Sequence, residues 1–244
     1  MELENKIIVL TGPSSGVGLE LLRILGPRNT IIGLSRNAPP EELLESARDY
    51  FHCAVDLSDA ASLDSAIAEI RSKLPDRIDA LINCAAVQFT PRFSDADFDP
   101  GSIACEIAVN LTSPIQLISG LLDRLENGNE PFIMNINSGL GLVPKSESAV
   151  YCATKAGLDN FTRGLRAQLA GTGIAVQQAF LPLVDTPMTE GRGTGKLASA
   201  DVAVRIVRSI QNGKPDTDIG KVGLLRRINR LSPALAHRIM ARVG

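Results

Sequence analysis

Residues 6–26 read KIIVLTGPSSGVGLELLRILG, and their order decides the fold. Lys6 to Thr11 is a short, nearly unbroken apolar run, the pattern of a strand covered on both faces. Gly12 to Gly18 follows, dense in glycine and serine. Leu19 to Leu25 then carries apolar residues at helical spacing and stops at Gly26-Pro27, a strong breaker. Strand, glycine-rich turn and helix in that order predict a βα unit whose turn lets backbone approach a ligand closely. The unpaired N–H groups at the helix start suit a phosphate. Gly12, Ser14, Ser15, Gly16, Val17 and Gly18 are therefore candidates for holding a dinucleotide. A tight βα turn without any ligand has the same appearance.

Outward from this unit, the pattern repeats. Further strands are predicted at 30–35, 51–55, 78–83, 131–137 and 173–180. Helices are predicted at about 39–48, 59–73, 101–126, 148–170 and 199–212. No linker and no internal repeat interrupts the alternation. It predicts an α/β chain with one doubly wound parallel sheet, Rossmann-like, of about seven strands with helices on both faces. The whole of 1–244 reads as a single domain, with a basic amphipathic extension at about 214–244. In such sheets ligands sit outside the carboxyl ends of the strands. At the end of the second strand stands Arg36, with no Asp or Glu between 33 and 38. An acidic residue there would accept from a ribose 2′-OH, whereas an arginine favours a 2′-phosphate. NADP(H) is thus preferred over NAD(H), with a solvated loop arginine as the competing reading.

The segment SGLGLVPKSESAVYCATK, residues 138–155, carries the candidate chemistry. Tyr151 and Lys155 are four residues apart, so on a helix they project from one face. An ammonium beside a phenol favours the phenolate and is expected to lower the tyrosine pKa toward neutrality. Ser138 ends the apolar run PFIMNIN, and its hydroxyl and the Tyr151 phenol can reach one substrate oxygen. A tyrosine that packs and a lysine that is solvated would give the same spacing. Asn110 lies inside a helical run, where asparagine is unfavourable. Either a solvated face or a polar role accounts for it.

Composition narrows the field. The net charge is −2, so no overall basic field is available for nucleic acid. Cys53, Cys84, Cys105 and Cys152 are far apart and form no C-x-x-C, which fits small core residues in a reducing compartment. Only His52 and His237 are present, so neither a zinc cluster nor a Ser-His-Asp hydrolase is expected. The N-terminus lacks a signal-peptide pattern and no apolar run approaches eighteen residues, so a cytoplasmic location is expected.

Over residues 6–212 the chain resembles the short-chain dehydrogenase/reductase family, in its compact branch. The matching pieces are Thr11-Gly12-x-x-x-Gly16-x-Gly18, Asp56, Asn83, Asn110, Ser138, Tyr151-x-x-x-Lys155 and Pro182 through Thr186. The resemblance implies that Gly12 to Gly18 hold the cofactor pyrophosphate. It places Asp56 and Leu57 at the adenine, and Asn83 and Ala85 along the adenosine side and ribose. Lys155 would also bind the nicotinamide ribose, and Pro182 to Thr186 would run past the nicotinamide with Thr186 near its carboxamide. Asn110 would hold a water that relays protons to Lys155. The implied reaction is hydride transfer between nicotinamide and a carbonyl or alcohol, with Tyr151 as general acid/base and Ser138 binding the same oxygen. Homodimers or homotetramers are expected. Three departures stand out: Asn83-Cys84-Ala85-Ala86 for the usual Asn-Asn-Ala-Gly, Leu183 where glycine is common, and Pro13 for alanine. Leu183 adds bulk where the chain passes the ring.

Residues 187–200 read as a loop with few bulky apolar residues, expected to leave an open pocket or a mobile lid. The tail carries Lys221, Arg226, Arg227, Arg230, Arg238 and Arg242 and no acidic residue beyond 220. Its leucines and isoleucines are spaced for helix faces broken at Ser232-Pro233. It is expected to pack on the sheet or another subunit, with contact to an anionic membrane as the alternative. Two other function classes stay open: a cofactor-binding regulator or scaffold with little turnover, and a nucleotide-sugar epimerase or dehydratase. The intact Ser138, Tyr151, Lys155 and Asn110 argue against the first. The short C-terminus and the glycine spacing argue against the second.

Overall fold

The computed structural model describes residues 1–73, 76–90 and 92–241. In chain order its elements are β1 (Ile7–Thr11), α1 (Gly16–Leu25), β2 (Thr30–Ser35), α2 (Glu41–Ser46), β3 (Asp49–Ala54), α3 (Ala60–Lys73), β4 (Ala80–Asn83), α4 (Gly101–Ile107), α5 (Ser113–Glu126), β5 (Phe132–Ser138) and α6 (Ala149–Gln168). There follow β6 (Ala175–Leu181), β7 (Val184–Asp185), β8 (Leu197–Ala198), α7 (Ser199–Gln211), β9 (Asp216–Asp218), α8 (Val222–Leu231) and α9 (Pro233–Met240).

Among the described residues, seven strands form one sheet in the order β3-β2-β1-β4-β5-β6-β9. Every pair in it is parallel. The register aligns Thr11 with Leu34, Asn83 with Asn135 and Ser138 with Leu181, so these strand ends share one edge. Strand order turns back between β1 and β4, which is the switch point where such sheets bind ligands.

The unbroken apolar runs follow from burial on both faces. Along β1, Ile8 and Leu10 face one layer with Leu21, Leu22, Leu25, Ile206 and Ile210 from α1 and α7. Val9 faces the other, with Leu63, Ile70, Leu117, Leu121 and Leu165 from α3, α5 and α6. That is the two-residue period of a strand. Each fully buried leucine contributes roughly 2 kcal/mol by leaving water.

The seventh strand was expected but not located, and it is β9. Its sequence Asp-Thr-Asp is polar and three residues long, so no apolar pattern marks it. It pairs with β6 at the sheet edge. The long helix predicted at 101–126 is continuous but opens into a π-turn at Ala108–Thr112. By length and composition this 26-residue stretch could cross a membrane. Here its apolar side, Leu117, Ile118, Leu121 and Leu125, belongs to the core instead.

The tail divides as its sequence predicts, into α8 and α9 with a break at Ser232. Helix α8 packs on the chain itself. Val222 is buried against Gly139, and Asn229 Nδ2 donates to the Leu142 carbonyl at 3.2 Å. The Arg226 guanidinium clasps Asp218 with two 2.8 Å hydrogen bonds and lies over the Phe180 ring. Arg242 lies outside the described residues.

Candidate active site

The glycine turn is shaped by what the glycines lack. Gly12 and Gly16 adopt φ of +71° and +55°, the left-handed region that side chains disfavour. Gly18 is in the first turn of α1, and a Cβ there would stand 2.0 Å from the Gly12 carbonyl oxygen. The turn thus closes onto its own helix. A Cβ on Gly12 would lie 3.1 Å from Ala85, and one on Gly16 would lie 3.0 Å from Thr186. Ala85 and Thr186 therefore flank the turn from the ends of β4 and β7. Thr11 fastens this arrangement, because its hydroxyl accepts from the Cys84 and Ala85 N–H groups at 2.9 and 3.0 Å.

Ser15 caps α1 in extended geometry, without a side-chain cap bond, and Leu19 N–H makes the first intrahelical bond to the Ser15 carbonyl. The N–H groups of Gly16, Val17 and Gly18 consequently have no acceptor within the helix. With the adjacent helix-dipole end, this cradle fits the pyrophosphate of a dinucleotide. Ser14 is half-buried beside it and Ser15 is exposed.

Arg36 is exposed just past β2, and among the described residues no carboxylate lies within ion-pair distance of it. Asp56 follows β3 and is gripped by Ser58, whose hydroxyl and N–H donate at 2.6 and 2.9 Å. Those bonds hold its carboxyl below the usual range, and the Arg36 charge adds to the effect. Leu57 is half-buried beside it. The Asn83 side chain is turned inward. Its Nδ2 donates to Asn135 Oδ1 at 2.8 Å, and Asn135 donates in turn to Thr162 Oγ1 at 2.9 Å. Asn83 thus offers its backbone, not its amide, to the sheet edge.

On the other side of the switch point, Ser138 ends β5, while Tyr151 and Lys155 lie on α6. All three are buried. The Ser138 hydroxyl accepts from Leu140 N–H at 3.1 Å and neighbours the Tyr151 phenol. The helical spacing does bring Tyr151 and Lys155 together, with Nζ 5.8 Å from the ring centroid. The expected fall in the tyrosine pKa does not appear in the free protein. Burial pushes the phenol up to about 12, only partly opposed by the neighbouring Ser138 hydroxyl. Lys155 donates to the Ile136 carbonyl at 3.0 Å. Burial also pulls the Lys155 ammonium down to about 8.

Asn110 has a polar role. It is fully buried in the π-turn, where Oδ1 accepts from Val87 N–H at 2.9 Å and Nδ2 donates to the Val87 carbonyl at 2.8 Å. Nδ2 also lies 3.3 Å from Thr154 Oγ1 on α6. The extra residue of a π-turn lets a polar side chain leave the helix surface pattern, and such turns recur at functional sites.

Pro182 to Thr186 leads into a fastened loop rather than a loose lid. Thr186 and Thr189 form a reciprocal cap, Lys196 Nζ donates to the Thr189 carbonyl at 2.7 Å, and β7 pairs with β8. The bulk of Leu183 is accommodated by Gly193, where a Cβ would fall 2.5 Å from Leu183 Cδ2. Sequence reasoning missed Thr11 as a fastener and Glu106 altogether. Glu106 is 2% exposed and its Oε1 accepts from Phe89 N–H at 2.8 Å. Its only signal was a lone acid four residues before Asn110 in an otherwise apolar run.

A sequence model of the short chain dehydrogenases matches residues 6–196. An uncharacterised oxidoreductase of Staphylococcus epidermidis is 29% identical over 216 residues, covering 86% of this chain and 92% of that protein. A short chain dehydrogenase from Burkholderia cenocepacia, solved in complex with NADP, superposes with a TM-score of 0.86 at 22% identity, covering 98% of this chain and 99% of that one. A 3-ketoacyl-(acyl-carrier-protein) reductase from Brucella melitensis, complexed with NADH, gives 0.76 at 23% identity over 89% of this chain and 98% of its own. At these identities the two structures speak for the fold.

Proposed function

This chain belongs to the short-chain dehydrogenase family, and from that premise we propose that it is an NADP(H)-dependent carbonyl reductase or alcohol dehydrogenase with Tyr151 as general acid/base. The observation that carries the reading is the packing of Ser138 against Tyr151, with Lys155 alongside, at the sheet edge that also holds the glycine cradle. Bound in that cradle, a nicotinamide cofactor supplies or accepts the hydride. Gly12 to Gly18 bind its phosphates through backbone N–H groups, with Ser14 and Ser15 beside them. Asp56, Leu57, Asn83 and Ala85 line the adenosine side, and Pro182 and Thr186 border the nicotinamide end.

Tyr151 delivers a proton to the substrate oxygen in reduction and removes it in oxidation. A phenol held near 12 carries its proton at ordinary pH, the form that reduction starts from. Ser138 donates to the same oxygen and stabilises charge as it develops there. Lys155 supplies a positive charge behind the phenol, and Asn110 fixes the Val87 strand exit against α6. Arg36, exposed and with no carboxylate in ion-pair distance among the described residues, supports a 2′-phosphate over a free hydroxyl, and so NADP(H) over NAD(H). We place the enzyme in the cytoplasm, which fractionation of cells expressing it tests, as a homodimer or homotetramer, which light scattering on the purified chain tests.

The decisive experiment follows NADPH oxidation with a panel of ketones and aldehydes, alongside cofactor binding by fluorescence. Turnover that disappears in Tyr151→Phe while NADPH still binds supports the reading. Binding without turnover of any carbonyl or alcohol would instead mark a cofactor-binding regulator.

A further inference from the structure

Beside Tyr151 there is a second feature that hydride transfer itself does not use. A cavity of about 160 Å³ lies between the chain leaving β4, the start of α4 and the residues just before α6. Phe89, Phe93 and Phe98 form its apolar wall, Arg92 and Ser148 stand at its polar side, and Glu106 reaches it from α4. The Phe93 and Phe98 rings are stacked with centroids 4.6 Å apart. Arg92 is engaged by Glu147 at 3.2 Å, and Ser148 Oγ accepts from Gln88 Nε2 at 2.9 Å.

Glu106 is the unusual member. A carboxyl that is 98% shielded is costly unless it is bonded. One of its oxygens is satisfied by Phe89 N–H. Among the described residues no protein donor meets the other, which is not one of the sealed polar atoms left without a partner, and Glu106 lines the cavity. Burial raises its pKa, and Ala149 and Val150, the two residues before Tyr151 on α6, line the same cavity. An acceptor with no protein donor, on the lining of an aromatic-walled cavity, is the usual plan of a small-molecule subsite, in which apolar walls bind and a few polar groups orient. A cavity of roughly 150 Å³ accommodates one benzene ring.

Resting on the reductase reading above, we propose that this cavity is a subsite for a hydroxyl-bearing ring of the substrate, whose O–H donates to Glu106. It makes Glu106 a specificity-determining residue that selects ring substrates with a hydrogen-bond donor.

The test uses fluorine NMR on the full chain, with 4-fluorophenol and 4-fluorotoluene as probes. These have similar shape and differ in the donor. Wild type should bind the phenol at least fivefold more tightly than the toluene, and Glu106→Leu should erase that preference. If Glu106→Leu does not fold by circular dichroism, Glu106→Gln keeps the acceptor for Phe89 and should lower the preference severalfold. Equal affinity for the two probes in wild type, no binding of either, or a preference unchanged in the folded variant overturns the proposal. NADPH binding and carbonyl turnover are measured on the same samples. If they persist while the phenol preference is absent, the subsite fails and the reductase reading stands. If they are absent as well, that reading fails independently.

Discussion

The two halves of the site are built on opposite principles. On the β1 side, Gly12, Gly16 and Gly18 act by omission, since each added Cβ would meet backbone or a packed neighbour. On the β5 side, Ser138, Tyr151 and Lys155 act through side chains that are largely buried. The first half owes its shape to sterics, which are short-range and local. The second owes its properties to desolvation, which depends on everything packed around it. Mutations in the two halves should therefore fail differently: the first should lose binding, the second chemistry.

The largest effect should come from the second half. Tyr151→Phe removes the proposed proton donor and should lower turnover by about 10²–10⁴-fold, the usual scale of general acid catalysis. Fluorescence titration should find NADPH affinity within about threefold of wild type. A variant that keeps more than a tenth of wild-type turnover would falsify the role given to Tyr151. Gly18→Val is the matching test of the first half. Its Cβ would sit 2.0 Å from the Gly12 carbonyl oxygen, so the turn must open. Cofactor affinity should drop by about 10²-fold, as expected when a backbone phosphate cradle is displaced. Unchanged affinity would mean that the turn does not hold the cofactor.

The same contrast accounts for what could be read from sequence. The glycine spacing, the apolar runs and the Tyr–Lys periodicity are local, and they located the sheet, its switch point and the two halves of the site. Thr11, Glu106 and the inward turn of Asn83 depend on partners 17 to 74 positions from them or on burial, and no local pattern encodes those. The tyrosine pKa failed for the same reason. Spacing brings Lys155 beside the ring, but the sign of the shift is set by burial. Strand β9 was missed because an edge strand of three polar residues buries too little to show a pattern.

A smaller effect is expected at Arg36, which belongs to neither half. It is a surface cation whose value lies in charge. Arg36→Asp should reverse cofactor choice, lowering kcat/KM with NADPH by about tenfold or more relative to NADH, since a charge-assisted contact contributes on the order of 1.5–3 kcal/mol. Steady-state kinetics with both cofactors measure this. An unchanged ratio would leave the arginine as a solvated loop residue, and the first half as a site indifferent to the 2′ position.

The subtlest prediction concerns pH, and it probes the second half without altering its shape. Burial lowers Lys155 from 10.5 to about 8 and raises Tyr151 from 10.0 to about 12. Between pH 8 and 10.5 the unfolded chain binds the lysine proton that the folded chain has released, so this group makes stability rise with pH there. Between pH 10 and 12 the folded chain keeps the tyrosine proton that the unfolded chain loses, so stability falls as pH rises through that window. Lys155→Met should remove the first trend and leave the second, as read by urea denaturation across the range. Reductive turnover should run the other way from the lysine trend. It needs the ammonium charged and should decline above about pH 8, while the phenol still holds its proton. A rate that stays flat to pH 10, together with a lysine-dependent rise in stability, would separate the two roles: Lys155 would then be a buried structural amine, and the field acting on Tyr151 would have to come from elsewhere in the site.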